Sequence, residues 1–185
     1  MDKLKQIKLL AMDVDGVLTD GSMIFGPAGE IKVFNVLDGL GIRLALSVGL
    51  EIAWITGNVS DSVAQRARSL RVVELHQGQR LKSAALRSIA ARKNLAMEEI
   101  AYIGDDLNDL PAMELAGFAF TVPNAVSEVQ VAADFITQKP GGRGAVREVI
   151  EMILKSQNRW DEGVSKFLEL LKTEQEQGEA PGAVG

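Results

Sequence analysis

The stretch Ile7-Lys8-Leu9-Leu10-Ala11-Met12-Asp13-Val14-Asp15-Gly16-Val17-Leu18-Thr19-Asp20-Gly21 sets an apolar run against an abrupt acidic turn. Residues 7–12 read as a buried strand. Asp13 and Asp15 follow it directly. Two carboxylates two residues apart repel, and one pKa rises unless a cation lies between them. A Mg²⁺ ion with oxygen ligands removes the conflict. Gly16 lets the chain turn sharply, so Asp15 can face back toward Asp13. Alone, the motif is also compatible with two turn or helix-cap residues.

Working outward, apolar runs alternate with helical patterns. Residues 50–56, 72–75, 100–103, 118–122 and 135–136 read as further strands. Amphipathic stretches lie near 39–49, 60–70, 79–94, 108–116, 125–132 and 143–155. This alternation predicts an α/β fold: a doubly wound, mostly parallel sheet with helices on both faces. Ligands of such sheets bind beyond the carboxyl ends of the strands. Residues 22–36 break the rhythm. Ser22–Phe25 and Glu30–Val36, joined by Gly26-Pro27-Ala28-Gly29, predict a protruding β-hairpin. Its outer residues would be Met23, Ile24, Phe25, Ile31, Val33 and Phe34. A lone hairpin is marginal in water, so it is expected to pack on something, such as a neighbouring subunit. Residues 1–156 are read as one domain, 157–177 as an exposed helix and 178–185 as a disordered tail.

The chain has 185 residues, 46% of them apolar, a net charge of −5 and no cysteine. Disulfides and thiolate metal sites are excluded. The absence of a Lys/Arg block argues against nucleic-acid binding. No apolar run is long enough for a transmembrane helix, and the first residues lack a secretory leader pattern. A cytoplasmic location is expected.

Three further motifs sit at strand ends or helix starts. Ile55-Thr56-Gly57-Asn58 ends a strand; the Thr56 hydroxyl and the amides of Gly57 and Asn58 could hold phosphate oxygens. Taken by itself, the motif is better read as an ordinary Thr–Gly turn before a Ser60 helix cap. Lys82 begins a helix, where a cation faces the unfavourable end of the dipole unless an anion is bound. Ile103-Gly104-Asp105-Asp106-Leu107-Asn108-Asp109 crowds three carboxylates after a strand. Helix-dipole stabilisation explains Asp106 or Asp109 but not the whole run.

Taken in order, these four motifs resemble the haloacid dehalogenase superfamily of phosphohydrolases. The resemblance implies Asp13 as nucleophile and Asp15 as general acid and base. Thr56 and Lys82 would hold the phosphoryl group. Mg²⁺ would be ligated by Asp13, the Asp15 backbone carbonyl and Asp105, with Asp106 and Asp109 supporting the metal shell. The chemistry is coherent: anionic nucleophile and anionic ester need cations between them, and a sugar alkoxide needs an acid. An acidic residue at position 15 implies rapid dephosphorylation, hence a phosphatase rather than a phospho-carrier.

Only 43 positions separate Asp13 from Thr56, and 23 separate Lys82 from Asp105, which leaves no room for a cap domain. Among capless members, residues 7–155 are similar to the 3-deoxy-D-manno-octulosonate 8-phosphate phosphatases. Lys32-Val33-Phe34-Asn35-Val36-Leu37-Asp38-Gly39-Leu40-Gly41 and Gly141-Gly142-Arg143-Gly144-Ala145-Val146-Arg147-Glu148 carry that match. It implies a homotetramer built through the hairpins. It also implies a sugar-acid phosphate pocket lined by Asn35, Val36, Leu37, Asp38, Gly39, Gly57, Asn58, Arg66 and Lys82, with Asp15 also on the substrate. Arg143 could start a helix or be offered to a substrate carboxylate. Asn58 and Leu37 stand where the family usually has arginines, which makes a nonulosonate 9-phosphate the neighbouring substrate. A rival of another class is a non-catalytic, phosphate-binding or receiver-like signalling protein. A receiver would carry its acceptor Asp after a central strand, and the strand ending at Thr56 offers none. His76 reads as a loop residue and Trp54 as core.

Overall fold

The computed structural model describes residues 2–27 and 29–176. In chain order the elements are β1 (Leu9–Met12), β2 (Ile24–Gly26), β3 (Gly29–Ile31), α1 (Val36–Ser47), β4 (Glu51–Ile55), α2 (Asp61–Ser69), β5 (Glu74–His76) and α3 (Lys82–Lys93). There follow β6 (Ile100–Gly104), α4 (Leu110–Met113), β7 (Phe118–Thr121), α5 (Ser127–Ala132), β8 (Phe135–Ile136), α6 (Ala145–Ser156) and α7 (Trp160–Glu176).

Six strands form one parallel sheet in the order β5-β4-β1-β6-β7-β8. All of β1 and β6 is buried, as continuous apolar runs require when helices cover both faces. On one side α1, α6 and α7 pack together; α3, α4 and α5 form the other group. The chain leaves β1 toward β4 and later returns to β6 on the opposite flank. Strand order therefore reverses beside β1, and the crevice at its carboxyl end is where such sheets bind ligands.

Several boundaries differ from the sequence reading. The hairpin is shorter, pairing Ile24 with Ile31 and Gly26 with Gly29. Its second arm stops at Ile31 because Asn35 caps α1, its side chain accepting from Leu37 N at 2.8 Å. Phe34 is not an outer residue; its ring stacks on Trp54 at 6.3 Å. Met23, Phe25 and Val33 are more than 60% exposed. The strand expected at 72–75 lies two residues later, because Val72 N closes the end of α2 on Ala67 O. His76 is thus a strand residue, its ring 2.9 Å from Glu74. The helix expected at 108–116 splits into a 3₁₀ turn at Leu107–Asp109 and the short α4, which has Pro111 in its first turn. Ser60 precedes α2, but its side chain makes no cap bond. The tail read as disordered, 178–185, lies outside the described residues.

Asp38 ties α1 to α6. It is buried, and its carboxylate accepts from Gly144 N at 3.2 Å and Arg147 N at 2.8 Å. These amides belong to the start of α6, where backbone donors otherwise lack partners. Trp160, at the start of α7, packs under the Arg147 guanidinium at 4.8 Å and the Lys155 ammonium at 5.4 Å. Asp38→Ala strands two amides in the interior and should lower the unfolding free energy by ~1–3 kcal/mol, measured by urea denaturation.

Candidate active site

The site gathers at the carboxyl ends of β1, β4 and β6. Asp13 continues β1, its amide bonded to Ile103 O at 3.0 Å. Its carboxylate is buried; Oδ1 accepts from Val14 N at 2.7 Å, and Oδ2 lies 2.7 Å from Lys82 Nζ. Lys82 is the first residue of α3, yet its side chain is wholly buried. The surface position ordinary for a helix-start lysine is replaced by an ion-pair bridge, with Nζ also 2.7 Å from Asp109 Oδ1. Burial opposes the Lys82 charge, but Asp13 and Asp109 more than offset it and hold its pKa above the usual lysine value.

The loop after β1 is fastened at several points. Gly16 has φ +84, and a Cβ there would lie 1.8 Å from Asp105 Oδ2, so only glycine permits this approach. Thr19 Oγ1 accepts from the amides of Gly16 and Gly21, both at 3.3 Å. Asn124 donates to Gly16 O at 3.1 Å and accepts from Gly141 N at 2.7 Å. The sequence reading named neither Thr19 nor Asn124 as an organiser; Thr19 holds amides two and three residues away, whereas Asn124 holds backbone 108 and 17 residues away.

Asp109 is fully buried and fully engaged. Oδ1 accepts from Lys82 and, at 2.7 Å, from Tyr102 OH; Oδ2 accepts from the amides of Asp105 and Asp106 at 3.1 and 3.3 Å. Gly104 makes room for it, since a Cβ there would lie 2.4 Å from Asp109 Cβ. Tyr102 was missed from sequence. Its signal was a lone tyrosine in an aliphatic strand, whose hydroxyl needs a buried partner. Asp106 Oδ1 accepts from Leu107 N at 2.7 Å and caps the 3₁₀ turn.

Asp13, Asp105 and Asp109 place carboxylate oxygens within 4.8 Å of one another. Because each Asp109 oxygen already accepts two hydrogen bonds, whereas each Asp13 oxygen has one partner, Asp13 and Asp105 are the pair that could hold a cation. Asp105 Oδ1 is buried without a hydrogen-bond partner, an acceptor left for a cation. Burial, with the charges of Asp13 and Asp109, pushes the Asp105 carboxyl up to about 8. Burial and Asp109 likewise raise Asp13, against the pull of Lys82. Three carboxylates face one ammonium, and a divalent cation fits the remaining charge.

The polar crevice over these groups is about 280 Å³ and is also lined by Asp15, Thr56, Gly57, Asn58 and Asn108. Thr56 is buried, and its Oγ1 accepts from Asn58 N at 3.2 Å. Other sequence candidates lie elsewhere. Asp38 is turned into the interior, where α6 uses both its oxygens. Gly39 is buried against the Arg66 guanidinium, which lies 5.9 Å from the Phe34 ring. Asn35 caps α1, and Val36 and Leu37 are exposed. Arg143 is largely exposed, 3.6 Å from Asp20.

Metal-free protein carries this repulsion unrelieved, so Asp105→Asn should raise its melting temperature at pH 8. About 1 kcal/mol of relief corresponds to ~2–4 °C in a chain of this size. The wild type should gain ~5–10 °C from Mg²⁺ at 100 times its dissociation constant, and Asp105→Asn almost nothing. The raised carboxyls keep protons that the unfolded chain has lost. Metal-free stability therefore falls as pH rises from the ordinary value of 3.8 toward about 8. Protons compete with the ion, so the Mg²⁺ gain should be larger at pH 8.5 than at pH 6, read by calorimetry.

Residues 53–150 match the haloacid dehalogenase-like hydrolase family. The 3-deoxy-D-manno-octulosonate 8-phosphate phosphatase of Salmonella typhimurium is 45% identical over 163 residues, covering 88% of this chain and 87% of the relative. That of Escherichia coli K12 is 44% identical over 161 residues, covering 86% of each. The Moraxella catarrhalis enzyme, crystallised with magnesium, phosphate and KDO, superposes with a TM-score of 0.86 at 46% identity. That match covers 89% of this chain and 95% of the other. The cobalt-bound Haemophilus influenzae enzyme gives 0.85 at 37% identity, over 90% and 99% of the two chains. With the four motifs meeting at one sheet edge, this chain belongs to the 3-deoxy-D-manno-octulosonate 8-phosphate phosphatase family of haloacid dehalogenase-like hydrolases.

Proposed function

We propose that the chain hydrolyses 3-deoxy-D-manno-octulosonate 8-phosphate to the free sugar acid and phosphate, through a phosphoryl group carried transiently on Asp13. The observation that carries the reading is the Asp13 carboxylate at the floor of a polar crevice, paired with Lys82 and facing Asp105, with Asp15 above. Asp13 and Asp105 would hold Mg²⁺, joined by the Asp15 carbonyl. When bound, the ion screens the repulsion between carboxylate and ester and draws charge from the phosphoryl oxygens.

In the first half-reaction Asp13 forms a bond to phosphorus as the bond to the sugar oxygen breaks. Asp15 gives its proton to that oxygen, which leaves as an alcohol. Thr56 Oγ and the amides of Gly57 and Asn58 would hold phosphoryl oxygens. Lys82 offsets the charge gathered there. In the second half Asp15, now ionised, takes a proton from water. The water oxygen attacks phosphorus, and Asp13 and phosphate are released. Asp109, anchored by Tyr102 and two amides, keeps Lys82 in place.

The exposed apolar hairpin residues support a homotetramer built through the hairpins, and the surfaces of Val36, Leu37 and Arg143 would then face a neighbouring site. Among the described residues no helix is long and apolar enough to cross a membrane. Asn58 and Leu37 offer no guanidinium to a substrate carboxylate. They favour a second reading, a related nonulosonate 9-phosphate. A hydrolysis panel of both sugar-acid esters and simple hexose phosphates decides between them; we expect kcat/KM highest for the octulosonate ester. Asp13→Asn should lower Mg²⁺-dependent hydrolysis by at least ~10³-fold with an unchanged circular dichroism spectrum. Light scattering should give four chains per particle.

A further inference from the structure

Asp15 is gripped from two sides by groups that the half-reactions above leave idle. Lys32 Nζ lies 2.5 Å from Asp15 Oδ1, and Asn58 Nδ2 donates to Oδ2 at 2.9 Å. The Lys32 side chain is only 2% exposed, and its second partner is Glu30 Oε1 at 2.9 Å. Burial opposes its charge, but the hydrogen bonds it donates to Asp15 and Glu30 outweigh that and hold its pKa above the usual value.

A lysine on a two-stranded hairpin is ordinarily solvated. Here the segment alternates: Ile31 and Val33 point outward, while Lys32 and Phe34 point inward. The backbone on either side is fixed. Phe34 stacks on Trp54 of β4, and Glu30 O accepts from Ser62 Oγ at 3.1 Å. Asn58 is set by its own amide on Thr56 Oγ1. Two rigid supports from different parts of the chain therefore converge on one carboxyl carried by a turning loop.

We propose that Lys32 and Asn58 are positioning residues for Asp15, fixing the rotation of its carboxyl so that it faces the departing oxygen. This rests on reading Asp15 as the general acid. Proton transfer needs hydrogen-bond reach at the moment of bond breaking, and a small misplacement can cost ~10²-fold. The hairpin thereby becomes part of the acid's support.

A good leaving group departs without a proton, whereas a basic one does not. The test measures kcat/KM on p-nitrophenyl phosphate and phenyl phosphate, small esters that differ in leaving group and carry no sugar. The enzymes are the wild type, Lys32→Met, Lys32→Arg, Asn58→Ala and Asp15→Asn. The expected result is that Lys32→Met and Asn58→Ala widen the p-nitrophenyl to phenyl ratio by at least about tenfold. Asp15→Asn should widen it further, and Lys32→Arg should return most of the difference. Asn58 is exposed, so its variant reports even if Lys32→Met disturbs the hairpin. Equal losses on both esters in the Lys32 and Asn58 variants, with a widened ratio in Asp15→Asn, would overturn the positioning role and leave the acid assignment standing. An unchanged ratio in Asp15→Asn would remove the acid assignment and the positioning role with it.

Discussion

Lys82 carries an ammonium buried between Asp13 and Asp109, 2.7 Å from each, and the catalytic end of the sheet is arranged around that charge. An ammonium alone in that position would cost several kcal/mol in lost hydration. Asp13 directly follows β1 and Asp109 ends the 3₁₀ turn that follows β6, so the ion pairs tie β1 and that turn to the start of α3. Removing one partner leaves a buried charge uncompensated, typically at a cost of ~3–5 kcal/mol. The same arrangement leaves the carboxylates in excess. Structure and reactivity therefore share one cause, because the unbalanced negative charge that strains the metal-free site is what draws a divalent ion.

The backbone makes this concentration of charge possible. Carboxyl ends of neighbouring parallel strands lie close together, and β1, β4 and β6 deliver Asp13, Thr56 and Asp105 to one edge. Glycines at 16 and 104 then let carboxylates approach main chain that any Cβ would block. Asp109 uses every lone pair it can offer, on an ammonium, a phenol and two amides. It is a structural anion, in contrast with Asp105, whose Oδ1 has no partner. The distinction between a metal-facing carboxylate and a supporting one is thus a matter of which acceptors are already occupied.

The hairpin divides its residues between two tasks. Its outward apolar side chains offer a surface that a single chain leaves in water. The inward ones just past its second arm, Lys32 and Phe34, reach Asp15 and the central sheet. The two faces share one short stretch of backbone, Ile31 to Phe34. Among the described residues no inserted cap domain covers the crevice.

The sequence alone determined the sheet and the acidic core of the site. Apolar runs buried on both faces leave little freedom in assigning β1, β4 and β6, and carboxylates crowded within a few residues announce a cation by their repulsion. Only the tertiary structure decided the rest, because it depends on contacts between residues distant in the chain. Lys82 looks like a surface lysine until Asp109, 27 positions away, is brought to it. Asp38 lies in a segment read as substrate-lining, yet the start of α6 claims its carboxylate across a separation of 106 to 109 residues. The hairpin's second arm was read too long because Val33 and Val36 suit a strand, while the Asn35 cap ends it. Tyr102 and Asn124 carry no local motif at all. Their polar atoms gain meaning only from the buried groups that the fold sets beside them.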